Sequence, residues 1–535
     1  MHRLNVKLIA TALALFALLN GCTDEPTGDA ASPQATAQAE PATVERPRFS
    51  INTDAVFDAG EIPAYTGSHD AVYDYIDANI DRHVAELQRW LRQPSISAQN
   101  VGIQEMAELV RQDFIGLGFQ EAELVETDGH PGVWGYYDAG ADKTLVVYMM
   151  YDVQPVIPED WLSPPFEANI VESAVGNVIM ARGATNQKGP QRAFLNAVES
   201  IIATEGKLPV NLMITAEGEE ELGSPNYPQI VDKYEERLKT ADGVLFPMSG
   251  QNPAGKTTLI LGVKGIVYFE AEATGGAWGG PKSAEIHGSY KVLVDSPVWR
   301  LVQALSTLTS EDGNTVLVPG FYEDVRPPTE EEQVLINGLA ATWDDDMMRG
   351  LFDVDRWIDD LSGTDAILET LYSPTLNIDG IWGGYTGPGT KTILPHKATA
   401  KIDTRMPYGQ DPDKQFAKIR PHLDDQGYED IVLRKMGAYP AAQTSVDTEL
   451  VQAVIQVANK YGDPPTVNPR ITGSAPFYQF TERLKLPMLP AGLGHGSGAH
   501  APNEYYVIEP AEGSALAGLA DIEKAYVDLL YALAQ

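Results

Sequence analysis

The sequence predicts an α/β fold in which a mostly parallel central sheet is interrupted by a smaller α+β domain. Three observations point to this. Leu145-Val146-Val147-Tyr148-Met149-Met150 and Val210-Asn211-Leu212-Met213-Ile214-Thr215 are short apolar runs of the kind buried on both faces of a parallel sheet. Segments with helical apolar spacing surround them. Between these strands and the C-terminal helix lies a stretch of different texture, mixing strand-like runs with acidic helical composition.

Taken in order, Ile76, Ile80, Val84, Leu87 and Leu91 fall on one helical face, and the helix must stop before Pro94. Met106, Leu109, Val110, Phe114 and Leu117 mark a second helix closed by Gly118. The two apolar strands follow. Residues 266–273 and 398–405 read as strands and 298–308 as a helix. Residues 330–360 are acidic and helical in composition, which predicts a solvated face. Leu516, Leu519, Ile522, Tyr526 and Leu530 mark a last amphipathic helix. No internal repeat is present.

The 535 residues include 75 Asp and Glu against 38 Lys and Arg, a formal charge of −37. A surface of that sign repels phosphate backbones and anionic lipid, so nucleic acid is excluded as a partner and electrostatic docking on a bilayer is disfavoured. The only cysteine is Cys22, which leaves no intrachain disulfide and no thiolate metal site in the body. Arg3 and Lys7 precede an apolar run over residues 8–19 that ends in Leu19-Asn20-Gly21-Cys22. A run too short to span a bilayer behind a basic start is a secretory signal, here over residues 1–21. Its end resembles a bacterial lipobox, which implies cleavage before Cys22 and lipidation of its sulfur. The expectation is export and anchoring in the cell envelope, on the outer membrane facing the periplasm. Residues 22–66, rich in Ala, Pro, Thr and acidic residues, read as the lipidated cysteine and a flexible tether.

Four segments carry chemistry. Tyr151-Asp152-Val153-Gln154-Pro155 and Glu217-Gly218-Glu219-Glu220-Glu221-Leu222-Gly223-Ser224 each follow a strand. Arg182-Gly183-Ala184-Thr185-Asn186-Gln187-Lys188-Gly189 leads into a helix, and Gly498-Ala499-His500-Ala501-Pro502-Asn503-Glu504 precedes the last one. Ligand sites of open α/β sheets lie beyond the carboxyl ends of strands, so these loops are expected to converge. Carboxylates and a histidine at such a crevice suggest a metal and a general base. In order and spacing the segments resemble the YGHYDVQP, GRGxxDDKG, EGxEExGS and AHxxNE motifs of the two-zinc exopeptidase and aminoacylase family, in its dipeptidase branch. Carnosine dipeptidase, succinyl-diaminopimelate desuccinylase and acetylornithine deacetylase are members of that family. The resemblance implies a zinc-peptidase-like catalytic domain over residues 67–263 and 438–535, with a dimerisation or lid domain inserted at 264–437.

Carried over residue by residue, the resemblance also exposes departures. The first histidine ligand falls on Met150, the bridging aspartate on Asn186 and a further aspartate on Met248. Glu220 stands at the general base, Glu221 and His500 at the remaining metal ligands, and Asp152 beside the catalytic centre without the histidine it would orient. The losses remove every ligand of one metal position and the shared bridge of the other. At most one zinc or other divalent cation per chain is expected, held by Glu221, His500 and Asn186, or none. His287, Thr392, Arg405 and Ser474 match the family's substrate contacts, Arg405 as the residue that grips a substrate carboxylate. His287 would reach across a two-fold dimer. Two readings follow: a metallopeptidase-like hydrolase of dipeptides or N-acyl amino acids, or an inactive membrane-tethered relative that binds peptide or amino-acid ligands.

Overall fold

The computed structural model describes residues 44–535. Its six-stranded sheet has the order Glu121–Val125, Gly132–Tyr137, Asn211–Glu217, Thr144–Met150, Gly243–Pro247, Met488–Ala491. The pairings among the last four strands are parallel, and the first two strands join antiparallel. Alternation along Thr144–Met150 explains why both faces are apolar. Leu145, Val147 and Met149 enter a core shared with helices Asp70–Arg92, Lys188–Glu205 and Leu519–Leu533. Val146, Tyr148 and Met150 enter a second core with Tyr227, Ile230 and Phe480 on the other side. Each fully buried aliphatic side chain contributes about 1.5–3 kcal/mol.

A separate four-stranded antiparallel sheet follows, ordered Thr375–Gly383, Lys397–Met406, Gly265–Thr274, Val432–Tyr439. Helices Pro297–Leu305 and Pro412–Asp425 cover one of its faces through Leu301, Leu305, Ile419 and Leu423. Helices Glu330–Ala340, Asp345–Phe352 and Gly363–Tyr372 lie between its strands in the chain. The first of them is fixed by a capping box, in which Thr329 Oγ1 accepts from the Glu332 N–H while the Glu332 carboxylate accepts from the Thr329 N–H.

The tether expected over residues 22–66 needs correction for its second half. Phe49 packs edge-on against Tyr372, with ring centres 6.0 Å apart, and the Asn52 N–H donates to Gln333 Oε1 at 2.7 Å. Arg46 pairs with Glu369 at 3.2 Å, and Tyr65 is buried, its hydroxyl 3.0 Å from His69 Nε2. The aromatic residues spaced along this acidic, Pro-containing stretch anchor it, a signal that composition averages away. The signal segment, Cys22 and the start of the tether lie outside the described residues. Among the described residues, no helix is long and apolar enough to cross a membrane.

Candidate active site

Register places the two acidic loops side by side. Met150 pairs with Glu217 where two adjacent parallel strands end, so residues 151–154 and 218–222 leave the same edge of the sheet. Asp152, fully buried, clamps the second loop: its two carboxylate oxygens accept from the backbone N–H groups of Glu220 and Glu221, each at 3.1 Å. Burial, with Glu221 nearby, raises its carboxyl to about 7. Asp152 therefore fixes where Glu220 and Glu221 point. Asp152, placed beside the catalytic centre by the resemblance, acts here through backbone contacts.

The loop after Met180 is built on a residue that sequence reasoning left out of the site. Glu504, fully buried, accepts from Arg182 Nη1 at 2.7 Å and from the N–H groups of Gly183, Thr185 and Asn186 at 3.0, 2.9 and 2.9 Å. Asn186 is thereby presented to the cluster. Its Nδ2 lies 2.7 Å from Glu221 Oε1 and 3.1 Å from His500 Nε2, and His500 Nε2 lies 3.1 Å from Glu221 Oε2. Gln154 Nε2 donates to Glu221 Oε2 at 2.7 Å. The Glu221 side chain is 3% exposed and that of His500 59%. The hydrogen bond to Glu221 raises the His500 imidazole above its usual value. Glu220 is pushed well above the usual carboxylate range by burial and by Glu221, Asp152 and Glu217.

These contacts test the donor set against a divalent cation. Glu221, His500 and the Asn186 amide converge within 2.7–3.1 Å of one another, and a half-turn of the amide brings Oδ1 to face the same point. One carboxylate, one imidazole and one neutral oxygen fit a single cation. Position 150, where the resemblance expects a histidine of the other metal site, offers no such donor. Met150 is 1% exposed and packed in the apolar layer with Tyr148 and Phe480, and thioether sulfur is a poor donor for a hard dication. Among the described residues no group of three or more His, Cys, Asp or Glu gathers to hold a metal.

Glu217 lies deeper and was not singled out from the sequence as a site residue. Its Oε1 accepts from Tyr148 Oη at 2.6 Å and Ser224 Oγ at 2.8 Å, while buried Oε2 has no partner among the described residues. Burial raises its carboxyl to about 8, the Tyr148 hydrogen bond opposes the rise, and Asp152 and Glu219 add to it. The folded state therefore binds this proton more tightly than the unfolded chain. Its contribution is full below about pH 4.5 and is lost as pH rises through about 8. Denaturant midpoints across that window are expected to fall in the wild type and to fall less in Glu217→Gln. Parallel curves for the two proteins would contradict this assignment.

The residues expected to contact substrate form two separate groups. Arg405 donates through Nε to Asp403 Oδ2 at 2.8 Å and through Nη1 to Ser474 Oγ at 2.9 Å. His287 and Thr392 meet at the short antiparallel pairing of Ile286–His287 with Ile393–Leu394, with His287 Nε2 3.4 Å from Thr392 Oγ1 and Nδ1 2.8 Å from Ser289 Oγ. Tyr439 and Arg405 both pair with Ile266, on the two strands flanking it, and the Tyr439 ring stacks on Tyr478 at 6.0 Å. Burial and then Glu220 raise the Tyr439 phenol, and Arg405 lowers it.

A carboxylate cluster with a histidine at the carboxyl ends of parallel strands is where an α/β enzyme places its site. The chain belongs to peptidase family M20/M25/M40, whose model matches residues 147–520. It is 27% identical over 473 residues to the Beta-Ala-His dipeptidase of Rattus norvegicus, covering 83% of this chain and 92% of that protein. It is 28% identical over 372 residues to a Cys-Gly metallodipeptidase of Schizosaccharomyces pombe, covering 66% and 75%. The structure of an M20 family metallo-carboxypeptidase from Sulfolobus solfataricus superposes with a TM-score of 0.74 at 35% identity, covering 85% and 99%.

Proposed function

We propose that this chain hydrolyses the amide bond of dipeptides or N-acyl amino acids, with at most one divalent cation. The observation that carries the reading is the Glu220-Glu221 pair, oriented by Asp152 and joined by His500 and Asn186. Arg405 and Ser474 bind the substrate carboxylate and set the scissile amide toward Glu220. Glu220, when ionised, takes a proton from the attacking water and returns it to the leaving nitrogen, so that hydroxyl adds to the carbonyl carbon as the C–N bond breaks. Glu221, His500 and Asn186 would hold a cation, which would supply Lewis acidity to the site. Glu220→Gln is expected to lower kcat at least ~100-fold against a dipeptide and N-acyl amino-acid panel, with KM little changed. Unchanged kcat would remove Glu220 from the reaction.

A second reading, ligand binding without turnover, is favoured by one observation. Both Glu221 oxygens already lie within hydrogen-bonding reach of side-chain nitrogens, so the cluster satisfies itself without a cation. Absence of metal by elemental analysis, with peptide binding retained and no hydrolysis, would establish it.

We also propose a homodimer formed through the inserted sheet and a lipid anchor at Cys22. The first is supported by Val292, Leu293 and Trp299, which are 86%, 81% and 61% exposed close in sequence to His287. The second is supported by the signal segment alone. Light scattering and intact mass of the full chain extracted in detergent are expected to show two copies and a diacylated N-terminus. A monomer, or an unmodified Cys22, would refute the corresponding half.

A further inference from the structure

Residues 44–66 precede the helix Asp70–Arg92 and touch both domains. On the inserted domain, Arg46 and Arg48 each pair with Asp359 and with Glu369, the two Glu369 contacts at 3.2 Å. Phe49 and Ile51 pack against the small core of Ile336, Ile367, Leu371 and Tyr372. Asn337 Nδ2 donates to the carbonyls of Thr53 and Ala55, both at 2.8 Å. On the catalytic domain, Asn459 Nδ2 donates to the carbonyls of Ala59 and Ile62, both at 2.8 Å. The Gln456 carbonyl accepts from the Tyr65 N–H at 2.8 Å. Apart from one turn at Ala59–Glu61, the segment has no regular secondary structure. Ordering such backbone is entropically costly, so these contacts to two domains are what keep it in place.

The grip on the inserted domain falls beside Arg405. Helix Gly363–Tyr372, which carries Glu369 and Tyr372, is joined to the strand Thr375–Gly383 by Ser373 and Pro374 alone. The Ser373 carbonyl accepts from the buried Lys264 Nζ at 2.7 Å, and the ring of Pro374 fixes its own φ. Thr375 then pairs with Arg405 in the sheet, and its Oγ1 accepts from the Arg405 N–H at 3.3 Å. Helix, link and strand form a short, stiff path, so a shift of the helix is passed to the Arg405 backbone. The Arg405 side chain meets the catalytic domain at Ser474, so the seating of one domain on the other decides where its guanidinium stands.

We propose that residues 44–66 are a clamp that sets where Arg405 stands relative to Glu220 and Glu221, with Arg46 and Phe49 as positioning residues for the ligand carboxylate. The inference rests on the reading above that Arg405 holds that carboxylate. Releasing either end of the clamp frees helix Gly363–Tyr372 to shift against the catalytic domain. The guanidinium of Arg470, in that domain, lies over the Tyr372 ring at 4.5 Å from its centre, so release loosens the seating of the helix without detaching it. A guanidinium grips a carboxylate through bonds of fixed geometry, and a small shift forfeits much of the gain.

Calorimetric titration with N-acetyl-leucine and N-acetyl-leucine amide tests the proposal, on the full chain carrying Glu220→Gln so that no turnover intervenes. The ratio of acid to amide affinity reads the grip on the carboxylate, and a general loss of stability leaves it unmoved. This parent is expected to favour the acid by about 10- to 100-fold, the scale of a hydrogen bond between charged groups. Arg46→Ala with Phe49→Ala releases the inserted-domain end, and Asn459→Ala releases the catalytic-domain end. Each is expected to lower the ratio about 10-fold, because a misplacement of about 1 Å is enough to lose such geometry. Phe49→Tyr, which keeps the ring, is expected to retain the ratio. Hydrogen exchange is expected to quicken in Thr375–Gly383 while Thr144–Met150 stays protected. Asn459→Ala alone decides the matter should the double variant fold poorly. Released variants that keep the parent ratio, or a loss confined to one end, overturn the clamp and leave the Arg405 reading standing. A parent that binds acid and amide equally removes the Arg405 reading, and the clamp with it.

Discussion

Replacing Glu504 with alanine is expected to lower the unfolding free energy by about 3–5 kcal/mol, or to prevent folding at all. The carboxylate is fully buried and holds Arg182, itself 3% exposed, at 2.7 Å. Removing it strands a buried guanidinium and leaves the N–H groups of Gly183, Thr185 and Asn186 without their acceptor. Each orphaned group adds a desolvation cost on top of the lost ion pair. The same carboxylate lies in the segment that carries His500, so the variant also frees one wall of the site. Glu504→Gln keeps the shape and one acceptor oxygen, so one pair of donors stays satisfied and its loss is expected to be smaller. Denaturant unfolding of both variants checks this. An alanine variant within about 1 kcal/mol of the wild type would show that the loop does not depend on Glu504.

Restoring Met150→His, Asn186→Asp and Met248→Asp together is expected to raise bound zinc from at most one toward two ions per chain. Three ligands return at once, and even partners outside the ligand set alter affinity by about 10–100-fold each. The anionic bridge at position 186 matters most. It replaces an amide that donates to Glu221 with a carboxylate that repels Glu221 unless a cation lies between them. Single reversions are expected to do little, because one ligand cannot hold a hard dication. Met150→His alone is expected to destabilise the protein, since it places an imidazole in the layer formed with Tyr148 and Phe480. Elemental analysis after dialysis reads the count directly. Two zinc ions in the unmodified chain would overturn this account of the site.

Much of the scaffold was determined by the sequence alone, because its elements are local and strongly patterned. Apolar spacing from Ile76 to Leu91 with Pro94 behind it leaves little choice but a helix, and the structure has one over Asp70–Arg92. The buried runs became the strands Thr144–Met150 and Asn211–Glu217 for the same reason. The order of the four chemical segments, with Met150, Asn186 and Met248 standing at expected ligand positions, was likewise readable from residue identity.

Only the tertiary structure could decide which carboxylate does what. Asp152, Glu217, Glu220, Glu221 and Glu504 share one chemical identity in sequence, yet they differ in partners. Asp152 and Glu504 hold backbone N–H groups, Glu217 holds two hydroxyls, and Glu221 meets Asn186, Gln154 and His500. Most of those partners lie from 35 to about 320 residues away along the chain, and no local pattern encodes which backbone amide a carboxylate will meet.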